Sequence, residues 1–316
     1  MKIAFHSNCL TVRGTENAIY YYALYNEKLL NNKSIIITPV SGIPSSDTIA
    51  IENFRKRFQI LYYSDLDEMD KLIENFDIFY CIKFGTDDNI KSNKIKTVIH
   101  CVFDMSQPHG QVYTGVSATL ARKFNSDSFV PHMIGLNPSI TGDNLRDQLM
   151  IPNNGIIFGR MGGLDTFDLE IARNAIKRIL NDCVNIYFVF VNTPNFVRHP
   201  RSFFLDKIIT DEEKNKFIIT CDAHLECGSL GHSFGISLGE ASINNKPCIC
   251  YNGPMWNTSH IEILGDKGIY FQTENELYDI LSSFNPDNYK NKDNNCYREY
   301  CPEQVMKKFK CVFLDD

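Results

Sequence analysis

Residues 217–251 read FIITCDAHLECGSLGHSFGISLGEASINNKPCICY. An apolar, β-branched run leads into a glycine-containing loop. Apolar residues at helical spacing follow, then a second short apolar run behind Lys246-Pro247. The pattern predicts strand, loop, amphipathic helix and strand, with the first strand at 217–220 and the last from 248. Ser233, Phe234 and Gly235 fall where the loop becomes the helix, so unpaired backbone amides and the positive end of the helix dipole would face an anion there. Glu240 lies one to two turns along, where a carboxylate would repel phosphate but accept two hydrogen bonds from a ribose diol. Taken alone, Glu240 is more often a solvated helix residue. His224 and His232 flank the loop, His232 being equally a capping or packing residue.

Before this stretch, short β-branched runs alternate with helical patterns, as parallel βαβ construction requires. Strands are predicted at 2–6, 34–38, 59–63, 78–83, 97–102 and 128–133, with a helix at 15–30 capped by Thr15. A second series runs through a strand at 155–159, a helix at 166–180, a strand at 185–191, the quoted segment and a strand at 268–271. Two such series imply an α/β chain of two Rossmann-like domains, residues 1–150 and 151–284, joined near 149–154. The polar stretch NPDNYKNKDNN, 285–295, reads as a surface linker. A short helix near 303–310 follows it, and residues 285–316 are expected to pack back on the N-terminal domain.

Composition narrows the function. At 316 residues and 43% hydrophobic content the chain can bury full cores. A net charge of -6 argues against nucleic acid as a partner, which calls for a basic face. The eleven cysteines show no paired metal-ligand spacing, and no signal-peptide pattern leads the sequence. Free thiols in a reducing cytoplasm are therefore expected. No apolar run approaches the roughly 20 residues of a membrane span.

Dinucleotide binding of the usual kind fails at the first strand, because SNCLTVRGTEN after it lacks G-x-G-x-x-G. Gly14 and Thr15 still open a helix toward which an anion could lie, though a plain loop-to-helix turn reads equally well. In the second series, Arg160 and then Gly162-Gly163 follow a strand at the edge where open α/β sheets collect ligands. A guanidinium fork matches phosphate oxygens, although an exposed arginine in a glycine turn is as good a reading.

Gly-Arg and glycines after a mid-chain strand, Ser233-Phe234-Gly235 with Glu240-Ala241, Lys246-Pro247 and the segment SHIEILGDKGIYF at 259–271 together resemble retaining glycosyltransferases of the GT-B type, family four in particular. The resemblance is best over 153–283. It is weaker in the N-terminal half, where Gly14-Thr15-Glu16 is similar to a Gly-Gly-x-Glu loop and His100 to a histidine that faces the donor sugar. It implies a GT-B architecture, two Rossmann-like domains facing a cleft. It also implies an enzyme, a hexosyl- or related sugar transferase, that moves sugar from a UDP- or GDP-type donor to the hydroxyl of a glycan, lipid or protein. Retention, with the leaving phosphate helping to deprotonate the acceptor, and independence of metal or other cofactor come with it. Arg160 and Gly162 would bind the diphosphate with the amides of Ser233, Phe234 and Gly235, and Glu240 would hold the ribose. His224 would border the base, Gly14 the phosphate and Glu16 the acceptor, while His100, Arg160 and His232 would act on the reacting centre.

Two departures stand out. His232 occupies the first place of an expected Glu-x7-Glu pair, eight positions before Glu240, and Leu164-Asp165-Thr166 replaces a lysine expected after Arg160. A nucleotide-sugar-binding protein without transfer activity, or a GT-B-shaped epimerase using His100, His224 and His232, are the alternatives. Asp65-Leu-Asp67 has metal-site spacing but begins a predicted surface helix, where acids favour the dipole.

Overall fold

The computed structural model describes residues 1–138, 141–208 and 210–315. They form two compact units, Met1–Gly135 with Glu299–Asp316 and Leu136–Arg298.

The first unit carries strands β1 (Lys2–His6), β2 (Lys33–Pro39), β3 (Ile60–Tyr63), β4 (Ile78–Lys83), β5 (Lys96–Cys101) and β6 (Val112–Gly115) in one sheet ordered β3-β2-β1-β4-β5-β6. Every pairing in it is parallel; Ala4, for example, sits opposite Ile35 on one side and Phe79 on the other. A parallel sheet is covered on both faces, which is why IFYCIK of β4 is buried at every position. Helices α1 (Gly14–Lys28), α2 (Thr48–Arg55), α3 (Leu66–Ile73) and α4 (Ala118–Lys123) connect the strands. Arg13, without a side-chain bond, holds the N-cap of α1, so Thr15 lies inside the helix and not at its cap. The sixth strand is 112–115, whereas the run expected at 128–133 makes one isolated bridge, Gly115 to Phe129.

The second unit repeats the plan. Its strands β7 (Ile156–Met161), β8 (Ile186–Val191), β9 (Ser202–Leu205) and β10 (Ala223–Glu226) precede a two-residue strand, β11 (Gly231–His232). Then come β12 (Cys248–Tyr251), a second short strand β13 (Asn257–Thr258) and β14 (Ile269–Phe271). The main sheet is all parallel in the order β14-β12-β10-β7-β8-β9, while β11 pairs with β13. Numbered within each sheet, both units have the order 3-2-1-4-5-6 of a Rossmann domain. Helices α5 (Glu170–Asp182), α6 (Asp211–Thr220), α7 (Ile236–Ile243), α8 (Ser259–Leu264), α9 (Glu274–Ser283) and α10 (Asp287–Lys290) belong to this unit. Phe158, Phe188, Phe190, Ile176 and Leu277 are central to its core.

Three expectations are corrected here. The run at 217–220 is the last turn of α6, started by a capping box between Thr210 and Glu213, and the strand is Ala223–Glu226. The division between units falls at 135/136, and Leu145 and Arg146 are tied to the second unit. Leu145 N donates to Thr220 Oγ1 at 2.7 Å and Arg146 Nη2 to Asp222 Oδ2 at 3.1 Å. Residues 285–295 are mostly exposed, as a surface segment should be, but 285–298 belong to the second unit and not to the first; Asn294 is buried there and its amide donates to Asn245 O and Tyr289 O. The final helix α11 (Pro302–Phe309) lies in the first unit, where the Phe309 ring stacks on Tyr22 at 5.3 Å. Among the described residues no helix is long and apolar enough to cross a membrane.

Candidate functional site

In the second unit, the carboxyl ends of β7 and β10 gather Arg160, His224, Glu226 and the turn 231–235 that opens α7. Gly235 is the N-cap of α7, at a φ of 86° in the left-handed region, with no side-chain cap bond. A side chain there would be strained, and its Cβ would crowd Leu238, Tyr297 and His260 at 3.2–3.3 Å. Tyr297 fixes the turn by donating its hydroxyl to Phe234 O at 2.8 Å. The first amides of α7 have no acceptor inside the helix.

Beside them lies a buried ion pair. His232 Nε2 is 3.1 Å from Glu226 Oε1, and the carboxylate is almost fully sealed from solvent. Burial works against the charge on Glu226, but His232, then Arg160 and His224, outweigh it and depress the carboxyl pKa to about 2. Burial likewise opposes the charge on His232, and Glu226 overcomes it, so the imidazole pKa is raised. The two neighbouring rings are different. Burial pushes His224 down to about 4 and His260 to about 3, and His260 Nδ1 accepts from His232 N at 3.3 Å.

Arg160 is fully buried. Nη1 donates to Asn192 O at 3.1 Å and Thr193 Oγ1 at 2.8 Å, and Nη2 to Gly163 O at 2.8 Å and Thr166 Oγ1 at 2.5 Å. A guanidinium has five N–H donors, so four are spent on the chain's own loops and Nε alone lacks a partner among the described residues. In this structure Arg160 pins the loops after β7 and β8 together, which leaves Nε as the N–H not engaged by the chain. Gly162 belongs to this arrangement, since a Cβ on it would come within 2.9 Å of Arg160 Nη2.

His100 is also corrected. It sits in β5 with no exposure, its Nε2 donating to Val130 O at 2.8 Å and its Nδ1 accepting from Tyr80 Oη at 2.6 Å. Both nitrogens are consumed inside the first unit, and burial lowers the pKa to about 4. In the same unit Gly14 is the first residue of α1, and the buried Glu16 accepts from Thr11 Oγ1 at 2.7 Å. Burial raises the Glu16 pKa. Glu240 is buried on α7 and accepts from Lys214 Nζ at 2.7 Å. Ser233 and Phe234 are buried in the turn. The structure thus sets His224 and His232 against Glu226, which the sequence reading missed, with Ser233, Phe234 and Gly235 following His232 into α7. Its signal was a charged residue in AHLE, a central parallel strand that ought to be apolar.

Asp65 is the N-cap of α3, accepting from Glu68 N at 2.8 Å, as its helix-start position predicts. Among the described residues Asp87, Asp88 and His109 stand close enough to share a metal ion, but Lys83 already neutralises Asp88 and Asn89 N bonds Asp87. All eleven cysteines are free thiols.

No protein-family model matches the sequence, and no curated protein does either. Solved structures do match over the full length. HepE of Anabaena, in complex with UDP-glucose, superposes with a TM-score of 0.69 at 12% identity, over 99% of this chain and 95% of that one. A glycosyltransferase from Rickettsia africae gives 0.72 at 11% identity, over 100% and 99%. The chain has the GT-B fold. WaaG, a glycosyltransferase involved in lipopolysaccharide biosynthesis, shares it with a TM-score of 0.67 at 10% identity, over 99% and 100% of the two chains. At such identities the likeness establishes the GT-B fold, and the chemistry rests on this chain's own side chains.

Proposed function

We propose that this chain is a glycosyltransferase that moves a hexosyl or related sugar from a nucleoside-diphosphate sugar, of the UDP or GDP type, to an acceptor hydroxyl of a glycan, lipid or protein. The observation that carries the reading is the start of α7, where the Gly235 turn leaves backbone amides next to His232 at the carboxyl edge of a Rossmann sheet. The likeness to HepE, whose structure holds UDP-glucose, supports it.

Glycosyl transfer builds positive charge on the sugar and negative charge on the departing diphosphate, so donors aimed at that diphosphate lower the barrier. In this chain the α7 amides and His232 do so, and Arg160 contributes by holding the loops. Glu240 takes the ribose with the oxygen that Lys214 does not bond, His224 borders the base, and the start of α1 at Gly14 and Glu16 serves the phosphate and acceptor side. Retention, with the leaving phosphate collecting the acceptor proton, independence of metal or other cofactor, and a cytoplasmic location complete the proposal.

Incubating the purified protein with UDP- and GDP-sugars should release nucleoside diphosphate, and the correct donor should raise Tm by mass action. Absence of both effects across the panel would remove the reading. The buried Glu226–His232 pair also favours a second one, since an acid and a base beside a sugar could isomerise it. Appearance of a new donor epimer by NMR, with no acceptor present, would decide for that.

A further inference from the structure

Glu226 is sealed at the end of β10, and apart from the ion pair with His232 neither carboxylate oxygen has a hydrogen-bond donor among the described residues. A buried carboxylate left so bare would take up a proton unless a cation stands against it. Arg160 is the only permanent cation of the cluster, and four of its five donors are fixed elsewhere. His232, by contrast, is in direct reach of Glu226 and keeps 22% of its side chain exposed. It also immediately precedes Ser233, Phe234 and the Gly235 cap of α7.

Resting on the glycosyltransferase reading, we propose that Glu226 is a positioning residue that holds His232 as an imidazolium beside the free amides of α7, so that this pair supplies the cation for an anionic oxygen of the donor. The imidazolium sets its Nε2 edge against Glu226 in the ion pair and keeps Nδ1–H for the ligand. The groups that face His232 are Glu226 and His224 of β10, Arg160 of β7 and His260 of α8. His224 and His260 are held neutral by burial, and Arg160 opposes the charge, so Glu226 is the group that sustains it. The anionic oxygen can belong to the diphosphate or to the carboxylate of an acidic sugar.

The ligand-free protein decides the first half. Histidine NMR titration, assigned with a His232→Gln variant, should place His232 above the ordinary value of about 6.5, and Glu226→Gln should drop it below that value, since burial then acts unopposed. A wild-type His232 that titrates at or below the ordinary value overturns the pairing without any variant having to fold. Calorimetry with UDP, GDP and UDP-glucuronate decides the second half. Affinity should fall about tenfold to a hundredfold as pH rises through the His232 pKa, with Glu226→Gln showing the weak affinity throughout. The effect with UDP or GDP assigns the cation to phosphate, and the effect with UDP-glucuronate alone assigns it to the sugar carboxylate. Affinity that is flat with pH for every probe that binds overturns the role. A shifted His232 with no binding of any probe instead removes the glycosyltransferase reading and leaves the ion pair standing.

Discussion

Around His100 the first unit gives each ring nitrogen a neutral partner, the Tyr80 hydroxyl and the Val130 carbonyl, and closes over them with Tyr22, His132 and Phe313. Around Glu226 the second unit buries a carboxylate whose direct ion-pair partner among the described residues is a histidine at the lip of a helix start, with Arg160 behind it. The first region stores a histidine as a neutral packing group. The second keeps one charged. Identical side chains, one in a central strand and one in a two-residue strand before a helix start, thus take opposite protonation states, and the difference lies in what else is buried with them.

Acid should break this comparison most strongly. His6, His100, His132, His224 and His260 all have pKa values lowered by burial, His6 to about 3 and His100 to about 4. A group depressed in this way binds its proton only when unfolded, so its contribution is intact above the unfolded value and lost as pH falls below it. Each costs roughly 1.4 kcal/mol per pH unit below about 6.5, about 2 kcal/mol at pH 5, and five together about 10 kcal/mol. That is comparable to the whole stability of a domain. His232 has the opposite sign, its contribution being complete below the unfolded value and lost only as pH rises through its raised pKa. Melts from pH 8 to 5 should show a steep loss, and hydrogen exchange should open the first unit, which holds three of the five neutral rings, ahead of the second. Equal Tm values across this range would show that these rings are not stored neutral.

Much of the fold was legible. Val, Ile and Phe runs marked β1, β2, β4, β5, β7 and β8, because a parallel strand buried on both faces has to be apolar throughout. The run at 217–220 misled for the same reason: a short apolar segment looks alike at the end of a buried helix and in a strand. Thr210-Asp-Glu-Glu213, a capping-box spelling, was the available correction. The start of α7 was legible from Ser233-Phe234-Gly235, since only the loop-to-helix change was needed. The roles of His100 and Arg160 were not, because sequence spacing gives the strand end but not what neighbouring strands present to it. Thr193 and Asn192, which claim Arg160, lie more than thirty residues away in the chain.

The next largest effect concerns Arg160 itself. Replacing it with Ala strands Asn192 O and Gly163 O, leaves a cavity against Phe167 and removes one of the cations that face Glu226. A loss of about 3–5 kcal/mol is expected. Urea unfolding measures it. A variant of wild-type stability that binds nucleotide poorly would return Arg160 to the ligand and make it an equal of His232.

The smallest change is the most discriminating. Thr166 is exposed, accepts from Arg160 Nη2 and donates to Gly163 O at 3.1 Å. Thr166→Val keeps the shape and removes that acceptor, and because Arg160 is fully buried the freed N–H goes unsatisfied, at a cost of about 1–3 kcal/mol. If Arg160 is a scaffold, as its other four bonds indicate, nucleotide affinity stays within about twofold, since Val191, Asn192, Thr193 and Gly163 still hold the fork. If instead the guanidinium is held back from the diphosphate by its own loop, the released N–H becomes available and affinity rises. A charge-assisted bond of about 1.5–3 kcal/mol corresponds to a gain of roughly tenfold or more. Calorimetry on this one variant therefore weighs Arg160 against His232 as the cation of the site while leaving both side chains in place.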